Sequence, residues 1–142
     1  MPHLLSALVT SRAFYTVAAT ALTFIFWWSG IQKLLDFPSA MAEMQHFGLE
    51  PAWLIAAATV AVQLLGSWLL ITASRWAWLG AGALGVFTLA TIPLAHRFWE
   101  LDGTIAMLEQ ALVQEHISVI GGLAIATALA HLHRTAQVPR QG

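Results

Sequence analysis

The side chains best suited to chemistry in this sequence stand where long apolar stretches end. The 20 residues from position 13 to position 32 carry no charge; Lys33 follows them, and Asp36 comes three positions later. This spacing predicts that Lys33 and Asp36 share one face of a helix. A lysine at the mouth of an apolar bundle can donate hydrogen bonds to a ring carbonyl or to an anion. It can equally anchor the helix, with its ammonium paired to Asp36 or Glu115.

Further side chains could complete a binding site near Lys33. Gln63 lies near the middle of another apolar stretch, and His96 precedes aromatic residues. Imidazole transfers protons near neutral pH, and aromatic rings stack on planar ligands. The structural alternative is that the buried amide joins two helices and that the aromatic residues belong to an interfacial belt. Both interpretations stay open at each position. The candidate ligand-binding residues are Trp28, Gln32, Lys33, Asp36, Gln63, His96, Trp99 and His116.

Metal and haem chemistry have weaker support. The chain has no cysteine, which excludes thiolate catalysis, disulfide exchange and cysteine-ligated metals. Met41, Met44 and His46 are soft ligands that suit Cu(I), but an amphipathic methionine stripe explains them more simply. A haem would need two inward histidines at matched depth, and only His96 and His116 form a near pair. We therefore predict no metal site and no intrinsic cofactor.

The elements that position these residues are predicted to be transmembrane helices. Among 142 residues, 58% are hydrophobic and 9% are charged, whereas a soluble domain carries about 25% charged residues. Uncharged stretches predict spans at about 13–33, 51–74, 76–95 and 115–133, and Pro93 should bend or end the third. We expect one all-α domain over residues 1–142, a polytopic four-transmembrane-helix bundle with a short tail over 135–142.

The two long connections are predicted to hold interfacial helices, with irregular polar loops as the alternative. Between residues 36 and 50, and again before the fourth span, apolar residues recur every three or four positions. These apolar residues are Phe37, Ala40, Met41, Met44 and Phe47 in the first connection, and Ile105, Leu108 and Leu112 in the second.

The charges predict an orientation in the membrane. One predicted side holds Arg12, Arg75, Arg134 and Arg140, whereas the other holds only Lys33 and Arg97 among the lysines and arginines. The basic side faces the cytoplasm, so both termini should be cytoplasmic. All seven acidic residues fall on the opposite, extracytoplasmic side.

Small residues predict close helix packing, because apolar helices gain little hydrophobic free energy from meeting in lipid. The third span offers Gly80, Ala81, Gly82 and Gly85; the second offers Gly66 and Ser67; the fourth offers Gly121 and Gly122.

Several motifs taken in order resemble the DoxX family of small four-helix membrane proteins. The resemblance covers roughly residues 12 to 133. Its motifs are Gly30-x-x-Lys33-x-x-Asp36, Gly48-x-x-Pro51, Gln63-x-x-Gly66, Arg75, His96-x-Phe98-Trp99 and Gly121-Gly122. The resemblance implies a multi-pass protein of the bacterial inner membrane. Relatives are described as a subunit of thiosulfate:quinone oxidoreductase, as partners of oxidative-stress enzymes, and as factors in quinone or catechol resistance.

Two positions depart from the family pattern. Many relatives carry glutamate where this chain has Gln63, and asparagine where it has His116. An amide cannot titrate, so a family mechanism that needs the carboxylate does not carry over to Gln63.

The leading functional prediction is a membrane subunit that binds a quinone-type or other hydrophobic ring at the extracytoplasmic end of the bundle and serves a redox enzyme partner. If it is an enzyme, it is a quinone-linked oxidoreductase subunit whose electrons come from the ligand or the partner. One alternative is a non-catalytic scaffold or homo-oligomer that uses the face of Gly80, Ala81 and Gly85. Another is transport of a small hydrophobic compound. Nucleic-acid binding has no support.

The orientation gives a first testable prediction. Labelling with a membrane-impermeant reagent should reach positions 43 and 109 from the same side of the membrane, because both acids belong to the extracytoplasmic connections. Labelling from opposite sides would contradict the four-span topology.

Overall fold

The structure is a computed structural model that describes residues 3–136, and all regular secondary structure in this range is helical. The helices are α1 (His3–Val9), α2 (Arg12–Leu22), α3 (Phe24–Leu35), α4 (Phe37–His46), α5 (Ala52–Ile71), α6 (Ala77–Ala95), a 3₁₀ helix (Phe98–Glu100) and α7 (Gly103–Thr135). The all-α prediction is therefore confirmed. Within this range, three segments are long and apolar enough to cross a membrane: α5, α6 with the turn that follows it, and α7. The number rises to four if α1 and α2, bent by 51°, form one span.

The first predicted span, residues 13–33, is not one uninterrupted helix. It falls on α2 and α3, which meet at Thr23 with φ −90° and ψ 6°. The buried Thr23 hydroxyl donates to the carbonyl of Ala19 at 2.8 Å, a bond that bends helices. Backbone hydrogen bonds still cross the junction, because Thr23 N–H donates to Ala19 and Trp27 N–H donates to Thr23.

The second interfacial helix and the fourth span, predicted as separate elements, are one helix. α7 has 33 residues, which makes it roughly 50 Å long and longer than a hydrocarbon core about 30 Å thick. The residues from 104 to 120 include neither glycine nor proline, so nothing in the local sequence breaks the backbone between the two predicted elements. The predicted tail begins within this helix at Thr135, and residues 137–142 lie outside the described range.

The first connection does contain a helix, α4, and it folds back onto the bundle. Ala40 and Met44 are buried against Ala52 and Ala56 of α5, and Met41 packs beside them. The methionine stripe therefore packs against a neighbouring helix.

The centre of the bundle is α5, which packs against α2, α3, α4, α6 and α7. Its closest approach is to α6. A Cβ atom added to Gly80 would lie 2.7 Å from the carbonyl oxygen of Gly66, and one added to Gly66 would lie 3.1 Å from the carbonyl oxygen of Gly80. The two backbones touch, which leaves no room for a side chain at Gly80 and very little at Gly66.

The small-residue face predicted on α6 is divided between the interior and the surface. Gly80 and Ala81 are buried within the bundle. A Cβ on Gly82 or Gly85 would meet no atom within 4 Å. Gly80 and Ala81 therefore pack α6 within the bundle and are not available for contact with a partner protein.

Several helix ends meet at the end of the molecule that contains Arg12. The guanidinium of Arg12 donates to the carbonyl of Thr72 at 3.2 Å, and the Tyr15 hydroxyl donates to that of Leu70 at 2.6 Å. Tyr15 also contacts the ring of His133, with centroids 5.3 Å apart. The ends of α5 and α7 therefore meet the start of α2, as expected for helices of alternating direction.

The α5–α6 contact predicts opposite effects for two neighbouring substitutions. Gly80→Ala should lower the free energy of unfolding by about 1–3 kcal/mol, because the new methyl group meets backbone that cannot move aside. Gly82→Ala, in open space on the same helix, should be neutral or stabilising by up to about 1 kcal/mol. Denaturant unfolding in detergent micelles measures both. Equal effects would show that the backbones do not touch.

Candidate functional site

A cavity of about 510 Å³ opens among α3, α4, α5, α6 and α7 at the end of the molecule that contains Lys33. This volume lies within the range of small-molecule binding sites. The walls are mainly apolar, and the rings of Phe26 and Phe87 meet edge to face there with centroids 6.4 Å apart. Lys33, Gln63, His96 and His116 are the predicted site residues that line it.

Lys33 is paired across a turn, and its partner is not one that the sequence suggested. Its ammonium donates to the carboxylate of Glu43 on α4, and the Lys33 side chain is only 16% exposed. Asp36 does not share a helix with Lys33, because α3 ends at Leu35. The Asp36 carboxylate instead caps α4 and accepts a hydrogen bond from Ser39 N–H at 3.2 Å. The helix-anchoring alternative named Asp36 or Glu115 as the partner of Lys33, whereas the structure pairs Lys33 with Glu43.

Gln63 brings a buried polar group to the inner part of the cavity. The residue is 4% exposed, and its Nε2 donates to Ser29 Oγ on α3 at 3.3 Å. Its Oε1 has no hydrogen-bond partner among residues 3–136. A buried amide oxygen without a donor is costly, so Gln63 contributes one contact between helices and one acceptor that no described residue satisfies.

His96 and His116 meet at the outer part of the cavity. Their rings lie 4.7 Å apart between centroids, in an edge arrangement. His96 Nδ1 donates to Glu109 Oε2 at 2.7 Å, and His116 Nδ1 donates to the carbonyl oxygen of Leu112 at 2.7 Å. Because both partners are acceptors, each neutral ring carries its proton on Nδ1 and leaves the lone pair of Nε2 free to accept.

The other predicted site residues lie outside the lining of this cavity. Trp28 is 48% exposed and stacks on Phe24, with ring centroids 6.0 Å apart. Trp99 is 54% exposed and packs against Phe98. Gln32 and Asp36 are exposed on the surface. A role in ligand binding remains a prediction for all the residues named from the sequence.

The sequence analysis missed the polar partners of three predicted site residues: Ser29, Glu43 and Glu109, which pair with Gln63, Lys33 and His96. A weak signal existed for Glu109, which lies seven residues before His116 and so shares its helical face. No helical spacing connects Glu43 to Lys33 ten positions earlier. Their contact depends on the turn at Asp36, which directs α4 back along α3.

Together the fold and the cavity define a multi-pass helical membrane protein with an apolar chamber ringed by a few polar side chains. Comparison with known families agrees. The chain belongs to the DoxX family, whose profile matches residues 15–97, a range that includes Lys33, Gln63 and His96. No curated protein and no solved structure matches the sequence.

The ion pair at the cavity rim predicts a specific energetic coupling. In a double-mutant cycle, Lys33→Met and Glu43→Gln should couple by about 1 kcal/mol, a modest value because Glu43 is 43% exposed. The matched control is Lys33→Met with Asp36→Asn, for which we expect no coupling because Asp36 caps α4. Unfolding free energies in detergent measure both cycles. Coupling to Asp36 in place of Glu43 would contradict the observed pairing.

Proposed function

We propose that this DoxX-family membrane protein binds a quinone-type or other hydrophobic ring in the cavity beside Lys33 and so serves a redox partner. The observation that carries the proposal is the combination in one chamber of apolar walls and a buried amide oxygen without a partner, at Gln63. An apolar chamber with a few convergent polar groups is typical of sites for cofactors and small ligands.

The apolar walls suit the face of a ring. Phe26, Phe87 and Leu94 line the chamber, and aromatic side chains offer both a face and an edge to a planar ligand. A ring and part of a hydrophobic tail fit in about 510 Å³.

The polar groups suit the oxygen atoms of such a ring. The Lys33 ammonium has three donors, of which Glu43 accepts one, so Lys33 can also donate to a ring oxygen. Ser29, one helical turn before Lys33, and Gln63 supply polar contacts further inside. A bound ring held at both ends would have a fixed orientation for electron exchange with a partner.

The proposed redox role assigns the electrons to the ring and to the partner enzyme, while the chain supplies binding and orientation. We place the protein in the bacterial inner membrane, with the rim of Lys33 and Glu43 on the extracytoplasmic side and both termini in the cytoplasm. The excess of arginine at the opposite end, including Arg12, Arg75 and Arg134, supports this orientation.

The proposal predicts that Lys33→Ala weakens binding of a redox-inactive quinone analogue that carries both a carbonyl and a hydroxyl group. Loss of a charge-assisted hydrogen bond should raise the dissociation constant by roughly tenfold or more. Equilibrium binding to protein in lipid nanodiscs, with empty nanodiscs subtracted, measures the effect.

The control is Arg97→Ala, because Arg97 pairs with Glu100 outside the cavity and is exposed. It should leave binding unchanged. Unchanged binding in a folded Lys33→Ala variant, or no saturable binding to the wild type, would contradict the proposal.

A further inference from the structure

One buried acceptor of the cavity has no donor, and this bears on which ring the cavity binds. Gln63 Oε1 is buried and receives no hydrogen bond from any described residue. The other end of the same amide donates through Nε2 to Ser29 Oγ at 3.3 Å. A ligand that satisfies this oxygen must bring a hydrogen to it.

The outer part of the cavity offers further acceptors where its histidine rings are neutral. The Nδ1 atoms of His96 and His116 donate to Glu109 and to the carbonyl of Leu112, which leaves Nε2 of a neutral ring as an acceptor. The structure gives neither Nε2 atom a hydrogen-bond partner within residues 3–136. Donors also line the cavity: the Lys33 ammonium, of which Glu43 accepts one hydrogen, and the Ser29 hydroxyl. These groups can serve a carbonyl or a hydroxyl, so the discrimination rests on Gln63.

The oxygen atoms of the two redox states of a quinone differ in this respect. A quinone carbonyl only accepts hydrogen bonds, whereas a ring hydroxyl also donates. A carbonyl or ether oxygen placed at Gln63 would leave Oε1 unpaired, and a buried polar group without a partner lowers affinity substantially. A ring hydroxyl would satisfy it.

We propose that the cavity prefers a ring that carries a hydroxyl group, a phenol or the hydroquinone state of a quinone, and that Gln63 Oε1 accepts the hydroxyl hydrogen. This inference rests on the proposed function, and it adds that position 63 discriminates between the oxidation states. The side chain does so by hydrogen bonding, because its amide does not titrate.

The test compares a long-chain alkylphenol with its methyl ether, two rings of nearly the same shape of which only the first donates. Binding is measured in nanodiscs to the wild type and to Gln63→Met, which keeps an unbranched side chain and removes the amide. We expect the wild type to bind the phenol about tenfold more tightly than the ether. Gln63→Met should bind both compounds equally, with the affinity that the wild type has for the ether. Comparing the ratio of affinities between variants cancels the different membrane partitioning of the two compounds.

Ser67→Ala is the matched control. Ser67 is buried on the same helix one turn from Gln63, and its hydroxyl donates to the Gln63 backbone carbonyl at 2.6 Å. It lies outside the cavity lining, so its removal should leave the phenol-to-ether ratio as in the wild type.

The outcomes separate this inference from the proposed function. Equal wild-type binding of phenol and ether overturns the preference and leaves ring binding in place, whereas failure of both compounds to bind overturns both proposals. A preference that persists in folded Gln63→Met assigns the hydrogen bond to another acceptor and overturns the role of Gln63. If Gln63→Met does not insert, the wild-type ratio still decides whether the cavity prefers a ring hydroxyl.

Discussion

The arrangement of this bundle depends on the contact between the backbones of α5 and α6 at Gly66 and Gly80. In lipid, apolar side chains gain little from leaving one apolar neighbour for another, so helices associate where their backbones approach closely. Gln63 lies one turn from this contact on α5, and Phe87 lies two turns from it on α6. The same packing that joins the helices therefore sets the position of two walls of the cavity.

Polar groups around the cavity fall into two kinds. Lys33 and His96 each meet a carboxylate from a neighbouring segment, which lowers the cost of removing them from water. Gln63 is different, because one of its two polar ends is satisfied and the other is left open. Stability alone favours an apolar side chain at such a position. In the proposed function, a ligand supplies the hydrogen bond that this oxygen lacks among the described residues.

The length of α7 extends the site beyond the end of α6. α6 ends at Ala95, two residues after Pro93, whereas α7 begins at Gly103 and continues through the bundle. Its first part carries Glu109 past the end of α6, where the carboxylate meets His96. One continuous helix thus supplies both an outer partner for His96 and, two turns later, the ring of His116.

The sequence by itself determined the membrane class, the helical fold, the family and most helix positions. The class, fold and helix positions follow from local properties: the length of uncharged stretches, the spacing of apolar residues, and the proline at position 93. The family follows from the resemblance of its ordered motifs. It could not determine that Lys33 meets Glu43, that α7 is continuous, or that Gly80 faces inward while Gly82 faces outward. Those features depend on a turn at Asp36 and on which helix faces meet. Only the tertiary structure decides them, because residues far apart in sequence become neighbours through packing.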